Sequence, residues 1–463
     1  MRLKLLNSHY FPIAFIIILS LCIRLYKLPD LMPFIGDQAW FYLSARNALD
    51  SGNIPLVGIT ASRTWLHQGA FWTYILMPIL KTSSHPAAPG YFSALLGSLT
   101  TFGLYAVLRE ITIKKTALIG ALLYATSPLV VLSDRMPYHT SFTPLLTIGI
   151  FYSLWRVMHG NQRFWIVLVG LVSVMQNTNL AGFPVVYVLA LFFAIGLILK
   201  DSWTTFSKKI LLHAILVWLI LMMPFLLYDV THGFQQTLKF YGWIILEPFR
   251  ALVASDSASF SPIMKFLSQM IHRLIFLPSS FLSIFFFLGM FVIALQKSIL
   301  KKFSFKDPLV YTTIWTLLML LIVIFGKTPS DAYVFTLFPL IIMMGAQVVS
   351  IFQSKWVLFL IAGIGFFNCI SLVRSNYLMG VKGGYGAPLS ARIALVKEVV
   401  SDSDGSHYAI KVVGPGSQFT STGMYFDYIS GWQGRPPVSK NPKKIYEIYE
   451  KDGILRWDRV PSP

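Results

Sequence analysis

The stretch GYFSALLGSLTTFGLYAVLREITIKKTALIGALLYATSPLVVLSDR, residues 90–135, decides the fold. Two apolar runs flank a short basic connection that carries Arg109, Lys114 and Lys115. A helix needs roughly 20 mostly apolar residues to cross a hydrocarbon core about 30 Å thick. The stretch therefore predicts two crossings joined by a turn on the cytoplasmic side, where Lys and Arg collect.

The same pattern repeats outward in both directions. Apolar runs at about 10–28, 86–107, 116–132, 141–158, 164–177, 183–199, 210–228, 274–295, 308–325, 332–351 and 356–373 predict about 11 crossings. The composition agrees with this. Hydrophobic residues fill 55% of 463 positions, charged residues only 12%, and the mean hydropathy is +0.65. Soluble chains carry roughly 25% charged residues. Aromatic residues make up 15%, as expected where Trp and Tyr gather at the headgroup level.

The distribution of cations tests the parse. Arg109, Lys114 and Lys115 share one connection, Arg156 and Arg163 the next, and Lys200, Lys208 and Lys209 a third. Lys297, Lys301, Lys302 and Lys306 share a fourth, and Lys355 marks a fifth. The intervening connections carry Asp37, Asp134, Asp229, Glu247 and Asp331, with Asp229 and Glu247 expected in solvent. With Arg2 and Lys4 ahead of the first run, the N-terminus is predicted inside. This phase holds only if Gly69–Leu80, twelve residues, does not cross and forms a re-entrant or surface-lying helix. The large loops and the tail then lie outside.

The net charge of +19 does not point to nucleic acid, because the cations sit in short connections rather than along one face. Cys22 and Cys369 both fall inside predicted spans and supply neither a disulfide framework nor ligand spacing for a metal.

From about residue 374 the chain changes character. LSARIALVKEVVSD reads as an amphipathic helix, HYAIKVVG as a strand and TGMYFDYI as a second helix, before a Pro- and Lys-rich end. The expected architecture is an all-α polytopic membrane domain, 1–373, with a first outer loop at 30–85. A small extracytoplasmic α/β domain follows at 374–463. The glycine loops KGGYG and GPGS lack the strand-to-helix setting of a phosphate-binding turn.

The first outer loop carries the chemistry. In GDQAWFYLSARNALDSGNIP, Asp37 precedes a helix predicted over Gln38–Leu49. Trp40, Leu43 and Asn47 take one side of that helix and Phe41, Ala45 and Ala48 another, so it is expected to lie along the membrane surface. Asp37 either N-caps it, a contribution of about 1 kcal/mol, or acts as a partly shielded base toward an incoming hydroxyl. The two roles are compatible.

This order of features resembles the GT-C superfamily of membrane glycosyltransferases, in particular the bacterial protein-mannosyltransferase and aminoarabinose-transferase branch (glycosyltransferase family 39 and its kin). Four segments carry the resemblance. They are the Asp37 loop, HQGAFWTYILMPIL, the 90–135 stretch, and SDAYVFTLFPLIIMMGAQVV with its Tyr-x-x-x-x-x-Pro pattern. They cover the first 160 residues well and the remainder loosely. Gln38 stands where the family often has Glu, and Gln68-Gly69 where it has Pro-Pro. The loss of the second acid and the local shape of that helix start are the points of departure.

The resemblance implies an inverting transfer of a hexose or pentose from a polyprenyl-phosphate carrier to an acceptor hydroxyl at the outer face of a bacterial plasma membrane. The base would be Asp37. One carboxylate suffices, because a phosphate leaving group needs no proton, whereas glycoside hydrolysis typically uses two carboxylates. The phosphate calls for cations and donors. Arg135, His67, Arg63 and Lys327 are the candidates, with Asp134 as a second acid or as the partner that orients Arg135. Tyr333 would line the carrier groove. Structural readings stand beside each of these: a local Asp134–Arg135 pair, an interfacial polar residue at His67, headgroup contacts for Arg63 and Lys327, and an interfacial belt position for Tyr333. A divalent metal is allowed by this chemistry but indicated by no ligand cluster; His139 near Asp134 does not make one.

The rival reading is a transporter or flippase of lipid-linked sugar. Such proteins carry ionisable residues deep within their spans, whereas these spans are nearly free of charge.

Overall fold

The computed structural model describes residues 10–61, 63–253, 261–300, 304–327, 329–381, 384–414 and 416–460. Arg2, Lys4, Lys301, Lys302, Lys382, Gly383 and Pro415 lie outside the described residues, as does the side chain of Glu247. The chain opens with α1 (Phe11–Leu25), α2 (Leu28–Leu31) and α3 (Gly36–Ser51), then β1 (Val57–Thr60), β2 (His67–Gly69) and α4 (Phe71–Thr82). There follow α5 (Ala88–Ile111), α6 (Lys114–Thr126), α7 (Pro128–Asp134), α8 (Thr143–Met158), α9 (Phe164–Thr178), α10 (Val185–Ile198) and α11 (Lys208–Thr231). The second half holds α12 (Phe240–Val253), α13 (Ser261–Ile275), α14 (Ser280–Leu300), α15 (Pro308–Gly326), α16 (Leu337–Ile351) and α17 (Lys355–Arg374). The tail adds α18 (Leu389–Ser403), β3 (Tyr408–Val413), α19 (Met424–Trp432), β4 (Lys444–Lys451) and β5 (Ile454–Val460).

The protein is a multi-pass membrane protein. Every apolar run of the sequence is helical. Length and apolarity alone carry six crossings among the described residues, or seven with the bent pair α6–α7. α1, α9 and α16 are shorter apolar helices. At twelve residues, α4 is too short to cross by itself.

Two runs break where the sequence suggested continuity. The run expected at 116–132 bends by 63° between α6 and α7. Pro128 lacks an N–H and drives the preceding Ser127 to extended dihedrals, and Ser127 Oγ instead donates to the Leu274 carbonyl at 2.7 Å. The run expected at 274–295 is α14, which starts later, at Ser280, after a turn through Pro278. Asn368 satisfies that turn, donating to the Ile275 carbonyl at 2.9 Å and accepting from Leu277 N–H at 3.1 Å. Asp229 is not in solvent. It is fully buried and accepts from the Gln236 N–H and the Thr237 hydroxyl, closing the chain's exit from α11.

The tail is a three-stranded sheet in the order β3-β4-β5, with β3 parallel to β4 and β4 antiparallel to β5. Its last two strands correct the reading of the end as merely Pro- and Lys-rich. KIYEIYEK alternates, with Tyr446 and Ile448 buried. Asp452-Gly453 then turns the hairpin with φ of 51° and 76°, the left-handed pair that a two-residue turn requires.

This tail packs on the first loop rather than standing apart. α3 packs against α4 and α19; protein covers its Phe41–Ala45–Ala48 face, while Trp40 and Leu43 stay partly exposed and Asn47 exposed on the other. Tyr42 stacks edge-on against Tyr428, and the Leu389 N–H donates to the Met32 carbonyl at 2.9 Å. Inside the tail, Arg392 forks onto both oxygens of Glu450 at 3.0 and 2.9 Å and lies over the Tyr425 ring. The closest approach is backbone to backbone: a Cβ at Gly36 would lie 2.0 Å from the Ser421 carbonyl oxygen. Gly36→Ala is therefore expected to push the tail off the loop and to cost about 1–3 kcal/mol. A lowered melting temperature and faster proteolysis within 414–423 would register it; unchanged values would show that the contact is not tight.

Candidate active site

Asp37 does not cap α3. The N-cap position belongs to Ile35, whose N–H donates to the Gln38 side chain at 2.8 Å. Gln38 thus closes the helix start. Asp37 falls in the first turn, where the positive end of the helix dipole favours a carboxylate. Its Oδ2 accepts from the Tyr138 hydroxyl at 3.1 Å, and no other hydrogen bond to Asp37 exists among the described residues. The side chain is partly exposed.

Tyr138 comes from the turn between α7 and α8. Its ring packs edge-on against Phe41 at 5.9 Å and against His139 at 4.0 Å. Burial, and then the charge of Asp37, hold the Tyr138 hydroxyl well above the usual tyrosine range, so it stays a donor. Burial pushes the His139 imidazole down to about 3, leaving it neutral.

Asp134 and Arg135 do not form the local pair expected of them. Asp134 faces Arg24 of α1, in a buried ion pair at 2.8 Å. Arg24 also donates to Ser20 Oγ at 2.7 Å and to the Ala125 carbonyl at 3.1 Å. Arg135 turns to the end of α1, donating to the carbonyls of Arg24 and Tyr26 at 2.7 and 2.8 Å, a cation placed where helix carbonyls lack partners. Asp134 is 4% exposed and Arg135 0%, so neither presents a surface to a substrate. The bend at Pro128 is what aims them back at α1.

His67 begins β2. Its N–H donates to Gln236 Oε1 at 2.9 Å, and its ring lies 5.5 Å from Tyr228, itself stacked on His232 at 3.8 Å. Burial and then His232 lower the His67 imidazole from its usual value. Arg63 is exposed at the turn of the same hairpin, and Lys239 sits 4.2 Å above the neighbouring Trp65 ring. His232 and Lys239 were not singled out in the sequence. Both precede or follow a break in helical period inside a long connection, where spacing carries no information.

Lys327 and Tyr333 lie in the connection between α15 and α16. Lys327 ends α15 in the left-handed conformation at φ 48°. Tyr333 is 37% exposed. Beside it, Asp331 pairs with Arg273 at 3.7 Å and accepts from the Tyr385 hydroxyl, while Arg273 Nε donates to Tyr377 at 2.9 Å. Burial opposes the charge of Arg273, but Tyr377 and Asp331 outweigh it and hold the guanidinium above its ordinary value.

Between α9, α10 and α11 runs an apolar cavity of about 530 Å³, lined by residues that include Leu168, Val172, Phe193, Leu211 and Trp218. Ser173, Gln176 and Tyr241 give it one polar end, where the Tyr241 hydroxyl donates to Gln176 at 2.8 Å. Tyr241 lies two residues beyond Lys239 along the chain. Among the described residues no three His, Cys, Asp or Glu side chains come together to hold a metal ion.

Residues 70–228 match the family model described as dolichyl-phosphate-mannose-protein mannosyltransferase. No curated protein sequence matches the chain. Among solved structures, ArnT from Cupriavidus metallidurans bound to undecaprenyl phosphate is similar with a TM-score of 0.59 at 11% identity, over 96% of this chain and 94% of that one. The archaeal oligosaccharyltransferase AglB from Archaeoglobus fulgidus, in complex with an inhibitory peptide and a dolichol-phosphate, is similar with a TM-score of 0.59 at 13% identity, over 93% of this chain. The chain spans 64% of the length of that archaeal protein. At these identities the likeness is one of fold.

Proposed function

We propose, on the premise that this chain is a member of the GT-C superfamily, that it is an inverting glycosyltransferase. It moves a sugar from a polyprenyl-phosphate carrier to an acceptor hydroxyl. The observation that carries this reading is the Asp37 carboxylate: partly exposed, in the first turn of α3, with one oxygen held by Tyr138 and the other without a hydrogen bond among the described residues. That arrangement suits a base. The acceptor O–H passes its proton to Asp37, the oxygen attacks the anomeric carbon from the face opposite the phosphate, and the anomeric C–O bond breaks. The electron pair leaves on phosphate, which needs no proton, so one carboxylate is enough.

The carrier phosphate is assigned to His67, His232 and Lys239, with Arg63 at the rim. The apolar cavity between α9, α10 and α11 would hold the first part of the isoprenoid chain. Tyr333 and Lys327 stand as a second wall of the carrier path. The 11 helical runs are assigned as crossings with the N-terminus cytoplasmic. The loop 30–85 and the unit 374–463 would face outward. Acceptor choice is assigned to the connection 229–272 and the tail.

The test is reconstitution of the full chain in nanodiscs with undecaprenyl-phosphate-linked glucose, mannose or aminoarabinose and an envelope lipid extract. Release of undecaprenyl phosphate together with a covalent glycosylated product is expected, and the product's mass identifies sugar and acceptor. Movement of the lipid-linked sugar across sealed vesicles with no covalent product would establish the transporter reading instead.

A further inference from the structure

We infer that Tyr138 is a positioning residue for Asp37, fixing which carboxylate oxygen faces the substrate; this rests on Asp37 being the base. Asp37 and Tyr138 lie 101 residues apart and belong to different loops, yet their contact is the one hydrogen bond Asp37 makes among the described residues. The donor itself cannot wander. Its ring is pinned by Phe41 and His139, and the Tyr138 N–H lies 3.3 Å from Ser141 Oγ, which fixes the turn. The tyrosine ring thus works as a strut from the second loop onto the first turn of α3. With Oδ2 occupied, Oδ1 is the oxygen left for an acceptor proton.

The other ionisable groups around α3 face elsewhere. His139 turns its ring to Phe41 and Tyr138. Tyr74 on α4 donates to the Pro55 carbonyl. On α19, Tyr425 donates to Glu450, Tyr428 donates to Ser84 beneath Arg46, and burial raises the Asp427 carboxyl. Tyr138 is therefore the group whose removal changes the environment of Asp37 directly.

A hydrogen bond to the ionised form of a carboxylate favours that form. Removing it raises the pH at which the carboxylate loses its proton. Such a bond is worth about one pH unit of titration. The experiment is pH-dependent labelling of the full-length protein in nanodiscs with a water-soluble carbodiimide, which reacts with protonated carboxyls, read at the Asp37 peptide by mass spectrometry. In Tyr138→Phe, which keeps the ring, the midpoint is expected to move up by about one pH unit. With 3,5-difluorotyrosine at position 138, a stronger donor that preserves packing, the midpoint is expected to move down. Midpoints that do not move in opposite directions overturn the proposal.

The readout needs no substrate, so it is separable from the assignment of Asp37 as base. If Asp37→Asn still transfers sugar while the labelling midpoints shift, the base reading fails and the strut stands. If Asp37→Asn is inactive and the midpoints are fixed, the strut fails alone. In turnover, the acid limb of the Tyr138→Phe rate profile should follow the labelling shift, a change that loss of packing would not produce.

Discussion

Asp37→Asn should lower the rate of sugar transfer by two to four orders of magnitude, about the range over which a positioned general base contributes, while leaving the protein folded. The substitution is nearly isosteric, and the amide oxygen still accepts from Tyr138 at the 3.1 Å position. The start of α3 is secured by Gln38 rather than by Asp37, so the helix does not depend on the carboxylate for a cap. What the variant loses is a lone pair basic enough to take the acceptor's proton. The phosphate assigned to His67, His232 and Lys239 is untouched, so carrier affinity should hold and the loss should fall on kcat. Single-turnover kinetics in nanodiscs with a melting curve beside them check both halves. A wild-type rate removes Asp37 from the chemistry, whereas a collapsed melting curve would give it a structural role.

The second large effect is one of stability. Arg24→Leu leaves Asp134 buried without its partner, and breaking a buried ion pair from one side costs about 3–5 kcal/mol. The site has little freedom to relax. Ser20, Ser98 and Thr101 line one side, and a Cβ at Gly97 would lie 2.2 Å from Asp134 Oδ2. The double variant Arg24→Leu/Asp134→Leu should recover most of the loss, because replacing both charges by apolar groups removes the uncompensated one. Thermal unfolding in detergent measures the difference. Equal melting temperatures for the single and double variants would mean that water reaches Asp134 and the pair is not closed. The outcome bears on function too, because a closed structural pair does not serve as a transport relay.

Both predictions rest on partnerships across the chain, and that is where reading from sequence stopped. Asp37 stood out because an acid before an aromatic-rich helix in a first loop is a local pattern. Its neighbour Tyr138 did not, since nothing at position 138 announces which of many carboxylates it will meet. The Asp134–Arg135 dipeptide looked like a pair because the two are adjacent. The bend at Pro128 then sent one to the Arg24 side chain and the other to the carbonyls ending α1. Pro128 was visible in the sequence; the direction of the bend was not. The 452–453 hairpin is a different case. Asp-Gly between two alternating segments is a local signal of a two-residue turn, carried by the sequence itself. Arg273, Asp331 and the Tyr377–Tyr385 connection come from three separate segments, so no spacing could have joined them.

The sequence by itself determined the multi-pass, mostly helical character of the chain, the placement of cations in alternate connections, and Asp37 as the acid worth testing. These follow from hydrophobicity and short-range order, which each segment carries independently of its neighbours. Only the tertiary structure decided that the tail packs onto the first loop, that Asp134 and Arg135 are spent on α1, and that Tyr138 holds Asp37. Such contacts depend on where a bend aims a side chain and which distant surface fills the space beside it. Those are properties of the packed chain, and no segment contains them alone.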